Sequence, residues 1–246
     1  MTENTAGRVA LVTGGSGGIG RAVVERLAAD GYAVAVHYAG NAARAEEARD
    51  QVTASGGRAI AVGGDVADEE AMARAFDATE EAFGGIDVVV NTAGIMLLSS
   101  VATLDLADLD RMHRTNIRGA FVVSQLAALR LRPGGAIVNF STSVTRTQFP
   151  AYAAYVASKA AVEGMTLILA RELRGKDITV NAVAPGPTAT PLFVDGKSEE
   201  QINAIAAMNP AERLGTPEEI AETVAFLAGP GRWVNGQVLF ANGGLA

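Results

Sequence analysis

From one end of the chain to the other, short β-branched runs alternate with longer stretches whose apolar positions recur every three or four residues. RVALVTG (8–14), YAVAVHYA (32–39), RAIAVGGD (58–65), IDVVVNTAG (86–94), AIVNFS (136–141), ITVNAVAPG (178–186) and QVLFANGG (237–244) predict seven strands. Between them IGRAVVERLAAD, AARAEEARDQVTAS, EEAMARAFDATEEAF, LDRMHRTNIRGAFVVSQLAALR, YAAYVASKAAVEGMTLILARELR and PEEIAETVAFLAG predict helices. This alternation predicts an α/β fold, a doubly wound parallel sheet whose right-handed crossovers put helices on both faces. The unbroken apolar character of the strands agrees, because a parallel sheet is covered on both sides.

The 246 residues show no internal repeat, low-complexity tract or shift in composition, so a single domain over 1–246 is expected. One stretch breaks the rhythm. PGPTATPLFVDGKSEEQINAIAAMNPAERLGTP (185–217) holds five of the eight prolines and one short helical pattern near 198–208. A long irregular insertion after the sixth strand predicts a substrate lid at about 187–216. Leu192, Phe193, Val194, Ile202, Ile205 and Met208 would make that site apolar, and Lys197 and Arg213 either meet an acidic substrate or stay solvated.

Composition narrows the chemistry. There is no cysteine, which excludes disulfides, thiolate metal sites and thiol nucleophiles. A formal charge of −7 speaks against nucleic acid or anionic membrane as partner and leaves a small molecule. The apolar runs are short of the ~20 residues that span a bilayer, and MTENTAGR has no signal architecture, so a soluble cytoplasmic protein is expected. His37 and His113 lack metal-ligand spacing, so no metal is expected.

TGGSGGIG (13–20) joins the first strand to the first helix, and Gly15, Gly17 and Gly20 fit G-x-G-x-x-G. In that context glycines let the backbone approach a pyrophosphate, whose charge rests on the free N–H groups of the helix start. The second strand ends in VHYAGNAAR, with no acidic residue between Tyr32 and Ala45. A ribose 2′-phosphate is therefore not repelled, and Asn41 and Arg44 could hydrogen-bond it, which favours NADP(H) and leaves NAD(H) open. Asp65 and Asn91 close the third and fourth strands, at the carboxyl ends where such sheets bind ligands.

Tyr155 and Lys159 are four apart in a helical pattern, so they share a face about 6 Å apart. An ammonium that close favours the phenolate and predicts a lowered phenol pKa, which would make Tyr155 an acid and base near neutral pH. Tyr152, two turns from Lys159 and ~10 Å along the axis, is assigned to packing at the helix entry.

These residues resemble the short-chain dehydrogenase/reductases, and the resemblance covers essentially the whole chain. TGGSGGIG is similar to the family's TGxxxGxG, NTAG to NNAG, YVASK to YxxxK, and NAVAPGPTAT to N-x-x-x-PG-x-x-x-T. The resemblance implies a single-domain Rossmann-like sheet of seven strands in order 3-2-1-4-5-6-7, and a homotetramer or homodimer. It makes Gly14, Gly18 and Gly20 the pyrophosphate turn and Asp65 an adenine contact. Asn91 and Gly94 would lie along the cofactor, and Thr188 and Thr190 would hold its nicotinamide end. The cofactor set expected on this basis also takes in Ser16, Ile19, Tyr38, Val66, Ala93, Pro185 and Gly186.

The resemblance further implies Tyr155 as proton donor, Lys159 as ribose ligand and phenol activator, and Asn116 as the helix asparagine anchoring a water relay. The family's serine commonly precedes the tyrosine by thirteen residues, where this chain has Thr142; Ser141 lies fourteen before and Ser143 twelve. Ser141, at the strand's carboxyl end, is favoured and Ser143 comes second. Gly17 stands where many NADP-using members carry a basic residue, leaving Asn41 and Arg44 to recognise the phosphate. The expected activity is an NADP(H)-dependent reduction of a ketone, most similar to 3-oxoacyl carrier protein reductases. An NAD-dependent alcohol or sugar dehydrogenase is the alternative within enzymes, and a catalytically silent dinucleotide sensor or scaffold the alternative outside them.

Overall fold

In the computed structural model, which describes residues 7–246, seven parallel strands form one sheet in the order β3-β2-β1-β4-β5-β6-β7. They are β1 (Val9–Thr13), β2 (Ala33–Tyr38), β3 (Arg58–Gly63), β4 (Ile86–Asn91), β5 (Leu131–Phe140), β6 (Thr179–Pro185) and β7 (Val238–Ala241). The helices are α1 (Gly18–Ala29), α2 (Ala42–Ala54), α3 (Glu69–Phe83), α4 (Leu106–Met112), α5 (Gly119–Arg130), α6 (Val144–Thr147), α7 (Ala153–Glu172), α8 (Pro191–Val194), α9 (Glu199–Ala207) and α10 (Pro217–Ala228). The MTENTA start lies outside the described residues.

Side chains alternate across each strand, so the sheet feeds two cores. Ala10 and Val12 of β1 pack with Val23, Val24 and Leu27 of α1 and with Ile220 and Val224 of α10. Leu11, between them, joins Met72 and Phe76 of α3 and Val123 of α5 on the opposite face. Each such fully buried side chain contributes about 1.5–3 kcal/mol over its exposed form. That burial fixes the register of the strands whose carboxyl ends carry the site.

Two departures from the expected elements have local causes. Leu131 pairs with Ile86 and Ala136 with Val88, so β5 begins five residues early and the register shifts around Pro133. The helix expected at 109–130 begins at Leu106, where Asp105 caps it by accepting from Ala107 N at 2.9 Å, and it contains a π turn over His113–Arg118. Such turns shift the helix face by one residue and recur at functional sites. Here the turn carries Asn116.

Helix α7 is twenty residues long with mean hydropathy 1.3 over its most apolar window, a composition that by itself would suit a bilayer. It runs instead against β6 and β5 and buries Tyr155, Ser158, Lys159, Val162 and Met165. The 187–216 segment, expected to act as a lid, leaves and rejoins the body at one neck. Thr188 bridges Gly215, with Ala189 N donating to Gly215 O and Gly215 N to Pro187 O, both at 2.9 Å.

Candidate active site

Successive crossovers leave β1 and β4 in opposite directions, opening a crevice at their carboxyl ends. Thr13 Oγ1 donates to Asn91 Oδ1 at 2.8 Å and clips the two strand ends together. Above this clip lies a cleft of about 580 Å³, which the glycine turn, Ala93, Gly94, the 140–144 segment, Tyr155, Lys159, Thr188, Thr190 and the lid enclose.

The floor of the cleft leaves room only for backbone. A Cβ on Gly20 would fall 2.2 Å from Gly14 O, so the turn closes on itself only with glycine there. A Cβ on Gly94 would stand 3.2 Å from Asn116 Oδ1 and 3.4 Å from Lys159 Nζ, in the space above the lysine. A bare backbone floor at a helix start, opening toward a lysine, fits a dinucleotide pyrophosphate and its ribose.

Of the residues expected to meet a cofactor, Gly14, Gly18, Ile19, Gly20, Arg44, Ala93, Gly94, Tyr155, Lys159, Pro185, Gly186, Thr188 and Thr190 line the cleft. Ser16, Tyr38, Asn41, Asp65, Val66 and Asn91 do not. Asn91 is held by Thr13. Asn41 caps α2 by accepting from Arg44 N at 3.0 Å. Asp65 accepts from Ala67 N at 2.9 Å and from Arg114 at 2.8 Å. Arg44 remains exposed, and among the described residues its guanidinium has no carboxylate partner. Glu47, three residues on in α2, pairs with Arg21 of α1 at 3.0 Å.

Asn116 is buried and fully engaged. Its Nδ2 donates to Ile95 O at 2.8 Å and Ser158 Oγ at 3.0 Å, and its Oδ1 accepts from Ile95 N at 2.8 Å. The side chain thus ties the segment after β4 to α7 rather than facing the cleft.

Tyr155 and Lys159 share one face of α7, as their spacing requires, but their electrostatics reverse the expectation. Burial pushes the Tyr155 phenol up to about 12, with Tyr152 adding to it and a hydrogen bond with the Thr142 side chain opposing it. Burial also pulls the Lys159 ammonium down to about 8. Its Nζ donates to Phe140 O at 3.0 Å and stands 5.8 Å from the Tyr155 ring centroid. Helical spacing measures separation along one face; it carries no information on desolvation, which here outweighs the attraction between the pair.

The three hydroxyls after β5 diverge. Ser141 Oγ donates to Glu163 of α7, and Ser143 Oγ donates to Ala184 O at 3.2 Å. It is Thr142, the residue at the family spacing, that the structure sets against the Tyr155 hydroxyl. All three line the cleft.

The outer cleft is apolar. Tyr152 packs edge-on to Tyr155 with centroids 6.5 Å apart and lies 6.2 Å from Phe149. Assigned to packing at the helix entry, it does pack there and also forms part of the cleft wall. Leu192, Phe193, Ile205 and Met208 of the lid face the cleft, whereas Val194 and Ile202 do not. Lys197 turns back onto Phe193, its Nζ 4.5 Å from the ring, and Arg213 pairs with Glu219, so neither cation reaches the cleft. Met96, Phe149 and Leu245 complete the wall and were not foreseen. Met96 lies two residues past Gly94 and was within reach of the motif; Leu245, near the chain end, carried no signal.

Known proteins share this arrangement. A family model described as "Enoyl-(Acyl carrier protein) reductase" matches residues 14–246. A "Short-chain type dehydrogenase/reductase" of Picea abies is 46% identical over 97% of this chain and 92% of its own. An "NADPH-dependent aldehyde reductase-like protein, chloroplastic" of Arabidopsis thaliana is 44% identical over 97% and 94%. The crystal structure of a short chain dehydrogenase from Burkholderia cenocepacia in complex with NADP is 41% identical, covers 99% of both chains and superposes with a TM-score of 0.92.

Proposed function

The chain belongs to the short-chain dehydrogenase/reductase family and is an oxidoreductase; from that premise we propose that it is an NADPH-dependent carbonyl reductase acting on ketones with an apolar body. The observation that carries the proposal is the buried Tyr155 hydroxyl, paired with Thr142, at the junction of the glycine-floored crevice and the apolar outer cleft. Such a junction brings a carbonyl and a reduced nicotinamide to one proton donor.

When bound, the cofactor supplies hydride to the carbonyl carbon. The glycine turn receives the pyrophosphate, and Arg44 pairs with the 2′-phosphate. Lys159, beneath Gly94, donates to the nicotinamide ribose, and Thr188 and Thr190 steady the nicotinamide end. Thr142 hydrogen-bonds the substrate oxygen as charge grows there. Tyr155, protonated at neutral pH even at the ordinary phenol pKa of 10.0 and held so more firmly by burial, delivers its proton to that oxygen.

Apolar lid residues suit 3-oxoacyl thioesters and cyclic or aromatic ketones better than sugars. NADPH in the Arabidopsis relative's name and NADP in the Burkholderia complex support the cofactor. Phe121 and Leu129 of α5 and Leu167 and Ile168 of α7 are exposed and apolar, which supports a homodimer or homotetramer, and cytoplasmic residence fits a pool of NADPH. The test is NADPH oxidation at 340 nm, a wavelength set by the nicotinamide, against aldehydes, β-ketoesters, acyl thioesters, quinones, cyclic ketones and sugars. Turnover of ketones with apolar bodies is expected; turnover confined to sugar alcohols with NAD would overturn the proposal.

A further inference from the structure

The segment after β5 must hold a hydroxyl still against Tyr155, yet Tyr155 rides on a different element, α7. Two sets of bonds cross that gap. On the sheet side Ser141 N donates to Val183 O at 2.8 Å and Ser143 N to Pro185 O at 2.9 Å. On the helix side Ser141 Oγ donates to one oxygen of Glu163, and Thr145 Oγ1 stands 3.1 Å from the same oxygen. Thr145 Oγ1 also lies 2.9 Å from Thr142 O, so the same hydroxyl braces the turn from within. Glu163 stands two helical turns beyond Tyr155 and one beyond Lys159, on the same helix.

We propose that Glu163 is a positioning residue for the reaction: its carboxylate grips both ends of the 141–145 turn and so sets the Thr142 hydroxyl against Tyr155. Ser141 then serves this grip rather than the substrate. The Ser141 hydroxyl gives this carboxylate a charge-assisted, directional bond, and Thr145 shares its one proton between Glu163 and Thr142 O, which suits a strut between two elements. Thr142, between the two held residues, is the one of the three whose side chain acts on the Tyr155 phenol, opposing the rise of its pKa. This inference rests on Tyr155 as proton donor.

The experiment compares Glu163→Ala, Glu163→Gln, Ser141→Ala and the double variant Glu163→Ala/Ser141→Ala, measuring kcat and KM for a reduced ketone and NADPH affinity by fluorescence. Glu163→Ala and Ser141→Ala should each lower kcat about tenfold, and the double variant should be no worse than the poorer single, because both break one strut. Glu163→Gln, whose amide oxygen still accepts, should recover most of the loss, and NADPH affinity should hold within about twofold throughout. Loss of NADPH binding in Glu163→Ala would reduce the residue to general structure and overturn the inference. So would intact kcat in Glu163→Ala beside a hundredfold loss in Ser141→Ala, which would return Ser141 to the substrate oxygen. Tyr155→Phe serves as the separate control: undiminished turnover there removes the proton donor itself, whatever Glu163 does.

Discussion

Lys159 points its ammonium at the carbonyl of Phe140, 3.0 Å away, and leaves the Tyr155 ring centroid at 5.8 Å. The two groups titrate as buried neighbours, each resisting its charged form. The Lys159 pKa falls from 10.5 to about 8, so between those values the unfolded chain binds more protons and stability rises with pH. The Tyr155 pKa rises from 10.0 to about 12, so over that window the folded chain binds more protons and stability falls. Melting temperature should therefore climb from pH 8 to near 10 and drop beyond it, on account of this pair. In Lys159→Met the climb should vanish, which differential scanning calorimetry across pH will show.

Tyr155→Phe removes the proton and little volume. Turnover should fall at least about a thousandfold, while NADPH affinity changes less than about threefold, since the glycine floor is untouched. Stopped-flow turnover and fluorescence titration measure the two.

Among the described residues Arg44 has no carboxylate partner, and Glu47 pairs with Arg21. Replacing Arg44 by Ala should weaken NADPH binding roughly tenfold through loss of a charge-assisted bond and leave NADH within about twofold. Isothermal titration with both cofactors checks this; equal losses for both would mean that Arg44 does not meet the 2′-phosphate.

His37 is fully buried in β2, with the Gly64 backbone as the polar group set against its ring. Burial lowers its pKa from 6.5 to about 4, so its stabilising contribution is full above 6.5 and is lost as pH falls toward 4. His37→Leu should remove the titrating ring and flatten that acid loss, raising the denaturation midpoint at pH 5 more than at pH 8. Urea unfolding at the two pH values provides the comparison.

Phe121 and Ile168 are about half exposed on α5 and α7. If the proposed homodimer or homotetramer forms through these helices, Phe121→Asp with Ile168→Asp should lower the particle mass in light scattering to that of one chain.

The seven strands and their parallel winding were legible because β-branched runs and helical periods alternate without a break; their order came with the resemblance. The glycine turn was legible for a similar reason: close approach leaves no substitute for glycine at Gly20. What escaped depends on rotamers and on solvent. Thr142 was passed over because three successive hydroxyls at a strand end differ only in the directions their side chains take. The sign of the Tyr155 shift escaped because it is a property of everything packed around the phenol, not of the residue four positions on. The π turn at Asn116 left no mark in the helical period, and Asn91 and Asp65, expected at the cofactor, are occupied by Thr13 and Arg114.

The neck at Thr188 and Gly215 gives the molecule a natural place for exchange. Both strands of the neck are pinned to each other, and Asn209 ties the lid's far end to Asn242 O at 2.8 Å, so the 189–214 segment hangs from the sheet as one loop. A foreign segment grafted between Thr190 and Asn209 would leave the proton donor, the glycine floor and both cores in place. Selection can thus retailor which carbonyl is admitted while inheriting the reaction unchanged.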